Sequence, residues 1–185
     1  MIKIDIKDTT ICVYGLKRGG HHGLIAWLTP MIKSFRHINN ASYGTDCFFA
    51  LSQNAITIYE SGHIDLVSLE DQSLNSQPNC NKQLLVLRDP YNTYASRIKK
   101  HKTNSHEWTE CYDISVWKHH AHEYLGHTKF LKNKIVVNFN EWFVSEEYRR
   151  RLSSHFGDFD DSGINTVLNY GGGSSFDWIA KQGQS

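Results

Sequence analysis

The sequence predicts an α/β domain of three layers, with helices on both faces of a mainly parallel central sheet. Apolar runs rich in β-branched residues alternate with segments whose apolar positions recur every three or four residues. Such alternation requires crossover connections, and these place successive strands parallel to one another. A chain of 185 residues is long enough for a sizeable core, so we expect one domain over residues 1–185.

The composition indicates a globular protein with neither a nucleic-acid nor a membrane partner. Hydrophobic residues make up 39% and charged residues 21% of the chain, and there is no apolar run of the length of a membrane span. A formal net charge of +1 gives no reason to expect nucleic acid. The first ten residues lack the apolar core of a signal peptide, and the four cysteines include no CxxC pair. We therefore expect a cytoplasmic protein with reduced thiols.

The first predicted strand leads into a helix with a broad apolar stripe. Residues 10–15, TICVYG, are apolar and β-branched and end at a glycine, as a buried strand does. A helix is predicted over residues 20–35, and Pro30 either kinks it or divides it. Its apolar positions recur at steps of three and four residues: Leu24, Ile25, Trp27, Leu28, Met31, Ile32 and Phe35.

Two further apolar runs predict buried strands, at residues 55–60 (AITIYE) and 83–88 (QLLVLR). The polar stretch at 68–81, SLEDQSLNSQPNCN, is predicted to be a loop. The pair Asp89 and Pro90 then supplies an N-cap and the proline favoured at the first helical position. A helix is therefore predicted to follow the second of these strands.

The C-terminal half continues the alternation of helix and strand. Apolar spacing predicts a helix over residues 113–131, a strand over 134–139 (KIVVNF) and a helix over 141–157 that Gly157 closes. Three adjacent glycines at 171–173 place the tail outside regular elements. Because ligands of parallel sheets bind beyond the carboxyl ends of the strands, we expect a site where the loops after the first three predicted strands meet.

The turn after the first predicted strand, LKRGGHHG, has the features of an anion cradle. Gly19 and Gly20 allow several backbone N–H groups to face one point at a helix start, where the helix dipole adds positive charge. Lys17 and Arg18 add cationic side chains. The alternative is an ordinary turn in which the glycines only relieve backbone strain. The pattern GxxxxGK[ST] is absent, because two histidines occupy its last positions, which disfavours ATP-dependent phosphoryl transfer.

A second basic motif follows the predicted strand at 83–88. Arg88 ends that strand, and Ser96 lies seven residues after the cap Asp89, which is nearly two helical turns. Ser96 therefore returns to the same side of the helix as the cap. A guanidinium and a hydroxyl on that side can bind an anion together. A surface ion pair for Arg88 and a solvated Ser96 are the alternatives.

These stretches resemble the sulfotransferases that use 3′-phosphoadenosine 5′-phosphosulfate (PAPS). The shared pattern is a strand, a basic glycine-bearing turn and a helix, followed by a strand ending in R-D-P-x5-S. The resemblance implies a P-loop nucleoside-triphosphate-hydrolase-like fold, in which the first turn binds the 5′-phosphosulfate and Arg88 and Ser96 bind the 3′-phosphate. WKHHAHEYL followed by IVVNFNEWF is similar to the family's Trp-bearing helix and the strand that ends near YEDL.

The resemblance extends the donor site to the C-terminal tail. GGGSSFDW is similar to the glycine-containing loop that closes over the 3′-phosphate and adenine in the family. Phe176 and Trp178 are then candidates for stacking on adenine. The donor-binding residues that the resemblance implies are Lys17, Arg18, Gly19, Gly20, His21, His22, Arg88, Ser96, Gly172, Gly173, Ser174, Ser175 and Phe176.

The catalytic groups that the resemblance implies depart from the family's usual residues. The family's lysine position holds Arg18, with Lys17 adjacent, and its hydroxyl positions hold histidines. An arginine neutralises charge on the leaving phosphate but does not readily release a proton. For the base that deprotonates the acceptor, the segment IYESGHID offers His63 and Glu60, since the family uses a histidine or a glutamate there.

The remaining histidine cluster does not predict a metal site. HHAH at 119–122, with Glu123, puts several metal-binding side chains on one helix, where positions three and four apart share a face. No HExxH pattern and no third distant ligand accompany them, so we expect no bound metal.

The predicted function is that of a sulfotransferase. It would move a sulfuryl group from PAPS to a hydroxyl or amine of a carbohydrate or small-molecule acceptor, leaving adenosine 3′,5′-bisphosphate (PAP). A nucleotide or small-molecule kinase, and a catalytically silent protein that binds adenosine bisphosphate, are the alternatives.

Overall fold

A parallel sheet organises the computed structural model, which describes residues 9–32, 34–39, 64–75, 80–101 and 114–166. The strands of this part of the chain are Thr9–Gly15 (β1), Phe35–Ile38 (β2), Ile64–Glu70 (β3), Lys82–Leu87 (β4) and Ile135–Asn138 (β5). They form one sheet in the order β2, β3, β1, β4, β5, and every neighbouring pair is parallel. The first strand therefore lies at the centre.

Helices follow the strands and cover the sheet. They are His21–Leu28 (α1), Pro90–His101 (α2), Ser115–Tyr124 (α3), Phe139–Val144 (α4) and Glu146–Ser153 (α5). No helix in the described part of the chain has the length and apolar character needed to cross a membrane.

Two apolar clusters, one on each side of β1, form the core. Ile11 and Val13 belong to one cluster, whereas Cys12 and Tyr14 belong to the other. Successive side chains of a strand point to opposite faces of the sheet, so both faces of the central strand are covered. The predicted three-layer α/β fold with a mainly parallel sheet is confirmed.

The predicted strands at 10–15, 83–88 and 134–139 correspond to β1, β4 and β5. The helix predicted over 20–35 is shorter: α1 ends at Leu28, and Thr29–Met31 form a 3-10 turn at Pro30. The prediction is wrong at its end, where Phe35 begins β2. Proline explains the division, because it cannot donate the backbone hydrogen bond that a continuing helix needs.

Two other predicted helices also have different bounds. The helix predicted over 113–131 is α3, which ends before Gly126, a residue with a φ of 78°. The helix predicted over 141–157 is divided into α4 and α5 at Ser145, whose side chain accepts a hydrogen bond from the Tyr148 N–H. A serine N-cap inside an apparently continuous apolar pattern starts a new helix.

The loop predicted over 68–81 is wrong at its beginning, because β3 continues to Glu70. Ser68 is a buried polar residue of this strand, and its hydroxyl bonds to the Ile38 carbonyl and the Asn39 side chain. A polar residue that the neighbouring strand satisfies breaks the apolar pattern without ending the strand. The strand predicted at 55–60 and the tail at 171–178 lie outside the described residues.

Cys12 and Cys80 form a disulfide, so the expectation of reduced thiols is wrong for this pair. Cys80 lies just before β4, the strand next to β1, and the two Cα atoms are 6.0 Å apart. That separation is within the usual range for a disulfide. The pairing depends on which strands are neighbours, and the spacing of cysteines along the sequence does not reveal this.

Candidate functional site

The turn between β1 and α1 requires glycine at two positions. Gly20 has a φ of 88°, and a Cβ there would overlap the ring of Phe139. A Cβ at Gly19 would lie 2.8 Å from the Leu16 carbonyl oxygen, to which the Gly19 N–H donates a hydrogen bond of 2.7 Å. Steric demand alone thus explains both glycines. Evidence for an anion site must come from the charges around the turn.

A partly buried ion pair holds the turn in this shape. The Arg97 Nη2 group contacts Asp71 Oδ1, and Arg97 is 7% exposed. Arg97 Nε donates to the Lys17 carbonyl at 3.1 Å, while the Lys17 N–H donates to Asp71 Oδ1 at 3.1 Å. The peptide groups on either side of Lys17 are therefore clamped by one arginine and one aspartate. No local pattern in the sequence distinguishes Arg97 and Asp71, so neither was predicted as a residue of the site.

Arg18, Ser96 and Arg88 come together beside this turn. Arg18 Nε donates to Ser96 Oγ at 3.0 Å, and Arg88 Nη1 donates to the Arg18 carbonyl at 3.4 Å. The Arg88 guanidinium also lies 5.2 Å from the centre of the Phe139 ring. The indole N–H of Trp117 fixes the strand end by donating to the Arg88 carbonyl at 2.9 Å. The two motifs singled out in the sequence thus share one edge of the sheet.

The electrostatics of these arginines favour an anionic ligand. Burial lowers the pKa of Arg18, and the nearby charge of Arg88 lowers it further, although Glu70 acts in the opposite direction. Burial also lowers the pKa of Arg88, and Asp89 partly offsets this. Two like charges in a partly desolvated place repel each other. A multiply charged anion bound between them would remove that repulsion.

On the other side of the turn, two histidines face a carboxylate. Glu70 ends β3 and pairs in register with Gly15, the last residue of β1. His21 Nε2 lies 2.9 Å and His22 Nε2 lies 3.6 Å from the same oxygen, Glu70 Oε1. His22 Nε2 is also 2.8 Å from Asn39 Oδ1. The side chain of His21 is 1% exposed, so the His21 side of this cluster lies in the protein interior.

The surroundings favour neutral imidazoles at His22 and His37 and an ionised carboxylate at Glu70. Burial and the neighbouring His21 lower the pKa of His22. Burial, with His22 and His21 nearby, lowers the pKa of His37 to about 4. Burial alone would raise the pKa of Glu70, but its interactions with the two histidines and the charge of Lys17 lower it on balance.

The structure describes part of the predicted site and brings that part together. The predicted residues found around the turn are Lys17, Arg18, Gly19, Gly20, His21, His22, Arg88 and Ser96. Those outside the described residues are Glu60, His63, Gly172, Gly173, Ser174, Ser175, Phe176 and Trp178. Glu70 was not predicted as a site residue, because the end of β3 was predicted to be a loop. Correct bounds for that strand would have placed Glu70 at the same edge as Gly15.

The histidines of α3 have other partners. His119 Nε2 accepts from the Leu74 N–H at 3.3 Å, and His120 Nε2 lies 3.0 Å from the Gln72 carbonyl oxygen. Both histidines hold the segment that follows β3. Their Nε2 atoms connect the helix to this segment.

Comparisons with known proteins support the fold. No family model matches the sequence, and no curated protein matches it. Among solved structures, the chain is similar to the crystal structure of mouse sulfotransferase SULT7A1 complexed with PAP, with a TM-score of 0.58 and 16% sequence identity. The match covers 86% of this chain and 64% of the mouse chain. The chain therefore has a sulfotransferase fold and spans less than two thirds of that relative.

Proposed function

We propose that the protein is a sulfotransferase that uses PAPS and transfers its sulfuryl group to a hydroxyl or amine of a carbohydrate or small-molecule acceptor. The observation that carries this proposal is the convergence of Arg18, Arg88 and Ser96 at a glycine-bearing turn. It occurs on a fold similar to that of a sulfotransferase crystallised with PAP. PAPS has anionic groups at its 3′ and 5′ positions, and a site for it needs cationic or N–H donors at both.

The geometry supports different roles for the basic residues at the two ends of PAPS. Arg18 was expected at the leaving 5′-phosphate, but its Nε donates to Ser96. We therefore assign Arg18, Arg88 and Ser96 to the 3′-phosphate. The start of α1 and the Lys17 side chain, which lies close enough to lower the pKa of Glu70, are left for the 5′-phosphosulfate.

The transfer itself requires placement and charge stabilisation more than covalent help from the protein. The acceptor oxygen or nitrogen forms a bond to sulfur, and the bond from sulfur to the 5′-phosphate oxygen breaks. The electron pair of that bond leaves on PAP, whose phosphate charge Lys17 would stabilise. The acceptor proton goes to a base, for which His63 and Glu60 are the proposed residues.

Ligand-dependent thermal unfolding tests the nucleotide part of the proposal. A ligand that binds only the folded protein stabilises it by about 2.7 kcal/mol at a hundredfold excess over its Kd. For a chain of this size that corresponds to an increase in Tm of roughly 5–10 °C. We expect PAP to produce this increase and ATP with Mg²⁺ to produce little. A response to ATP with Mg²⁺ but not to PAP would instead support the kinase alternative.

A transfer assay separates an enzyme from a silent binding protein. The full chain would be incubated with ³⁵S-labelled PAPS and pools of carbohydrate, phenolic and amine acceptors. We expect label to move from PAPS to at least one pool, with release of PAP. Binding of PAP without transfer to any pool would favour the silent binding protein.

A further inference from the structure

The histidines at the start of α1 and the carboxylate at the end of β3 form a cluster with metal-binding chemistry. His21, His22 and Glu70 each offer one ligand atom, and these atoms all lie within 4.8 Å of one another. We propose that these three residues bind a divalent transition-metal ion of the Zn²⁺ type. This proposal goes beyond the proposed function: His21 and His22 begin the helix whose start is assigned to the 5′-phosphosulfate, but metal binding is measured without nucleotide.

The separations between the Glu70 oxygen and the two histidine nitrogens suit a tetrahedral metal ion. Bonds of 2.0–2.1 Å to Zn²⁺ place two tetrahedral ligand atoms about 3.4 Å apart. The Glu70 oxygen lies 2.9 Å from His21 Nε2 and 3.6 Å from His22 Nε2, which brackets that value. Small side-chain shifts would therefore complete the coordination.

The state of His21 is the second observation that indicates a ligand. This side chain is 1% exposed, and neither of its ring nitrogens makes a hydrogen bond within the part of the chain that the structure describes. Its Nε2 faces Glu70 at an ion-pair distance without hydrogen-bond geometry. Buried polar atoms normally have partners, and an atom without one requires an explanation. A metal ion would replace the contact between His21 Nε2 and Glu70 Oε1 with a bond to each of these atoms.

The turn also holds the His21 ring in place. A Cβ at Gly15 would lie 3.2 Å from His21 Nδ1, so the ring packs closely against the backbone at the end of β1. Glu70 is fixed by the pairing of β3 with the same residue. Two of the three ligands are therefore held by the central strands, and a metal site gains precision when rigid elements hold its ligands.

The ligand set predicts which metals bind. Imidazole nitrogens favour Zn²⁺, Co²⁺, Ni²⁺ and Cu²⁺, whereas Mg²⁺ and Ca²⁺ prefer sites made of oxygen atoms. Three protein ligands leave a fourth tetrahedral position open, as in zinc sites that bind water or substrate. Asn39 Oδ1 lies 2.8 Å from His22 Nε2, so this contact competes with the metal for one ligand.

Titration of the metal-free full chain with Co²⁺ and Zn²⁺ tests the proposal. Four-coordinate Co²⁺ gives visible absorption bands, which report both binding and geometry. We expect one equivalent of Co²⁺ to produce these bands, Zn²⁺ to displace it, and Mg²⁺ to leave the bands unchanged. No bands and no calorimetric binding of Zn²⁺ would overturn the proposal.

Substitutions identify the ligands. His22→Gln and Glu70→Gln should each weaken Co²⁺ binding at least tenfold. The matched control is the double variant His122→Gln and His127→Gln, which removes two neighbouring histidines of the α3 end whose ring centres are 5.5 Å apart. This control should bind Co²⁺ as the unmodified chain does. Loss of binding in the control, with binding retained in His22→Gln, would overturn the assignment.

Imidazole ¹⁵N NMR of the unmodified chain provides a measurement that needs no variant to fold. Zn²⁺ should shift the Nε2 resonances of two histidines strongly at one equivalent. Uniform weak shifts of many histidines would indicate surface binding and contradict the proposal. Because these titrations contain no nucleotide, the metal site and the PAPS site can each fail without the other.

Discussion

Two clusters in the part of the chain that the structure describes contain adjacent histidines and a glutamate, and their carboxylates differ in the partners that they have. On α3, Glu123 is fully buried and accepts hydrogen bonds from Lys134, Thr128 and the backbone of the segment that follows the helix. At the turn, Glu70 is partly exposed and shares one oxygen with His21 and His22. Residue types alone do not distinguish a structural cluster from a candidate binding site, whereas the hydrogen-bond partners of the carboxylate do.

The largest expected effect is the decrease in the free energy of unfolding when the Glu123 carboxylate on α3 is removed. Glu123→Ala leaves Lys134 and two backbone N–H groups without their acceptor. Removing one partner of a buried ion pair costs about 3–5 kcal/mol. Urea denaturation should show this decrease in the free energy of unfolding. Glu70→Ala is the matched comparison at the turn, and an equally large decrease in the free energy of unfolding there would erase the distinction between the two clusters.

Substitutions of the basic residues around the turn between β1 and α1 should change PAP binding and leave the folded structure largely intact. Arg88→Ala should weaken PAP binding by about 2–5 kcal/mol, because the guanidinium would pair with a desolvated phosphate. Isothermal titration calorimetry measures this loss. Arg150→Ala is the control, since Arg150 forms an exposed ion pair with Glu146 on α5. Equal PAP affinity in the two variants would mean that Arg88 does not contact the nucleotide.

The acid stability of the fold should depend on the α3 cluster. Burial alone would raise the pKa of Glu123, but hydrogen bonds from four donors lower it from 4.5 to about 2. A carboxyl whose pKa is lowered by folding stabilises the protein fully above its unfolded pKa, and this contribution disappears as pH falls through the folded pKa. Between pH 5 and pH 2 the chain should lose about 3 kcal/mol through this residue.

Denaturation curves for the unmodified chain and Glu123→Gln over that pH range provide the measurement. The difference in unfolding free energy between them should be largest at neutral pH and should shrink as the pH approaches 2. A difference that is constant with pH would show that the charge of Glu123 has no part in the stabilisation.

The sequence predicted the features that depend on neighbouring residues in the chain. The strands β1 and β4, the glycine-bearing turn and the spacing from Asp89 to Ser96 all follow from local patterns. The contact between His21 and Glu70 depends on the register of β1 with β3, and the disulfide depends on the order of strands. Such contacts between distant parts of the chain leave no local pattern.

The direction of the Arg18 side chain could not be predicted from the sequence either. Arg18 has a φ of 68°, in the region that non-glycine residues seldom adopt. The backbone of the turn, clamped around Lys17 by Asp71 and Arg97, sets the direction in which the side chain leaves the chain. As a result, Arg18 contacts Ser96. The resemblance had instead implied that Arg18 replaces the family's lysine at the leaving phosphate.

The smallest expected effect distinguishes the two basic residues of the turn. Arg18→Ala should weaken PAP binding by about 1.5–3 kcal/mol, the usual contribution of a hydrogen bond to a charged group. Lys17→Ala should instead lower kcat, with a smaller change in PAP affinity, if Lys17 stabilises charge that develops on the leaving phosphate. Calorimetry with PAP and transfer kinetics with saturating PAPS measure the two effects. If Arg18→Ala lowered kcat without changing PAP affinity, Arg18 would act at the leaving phosphate, as the lysine of the family does.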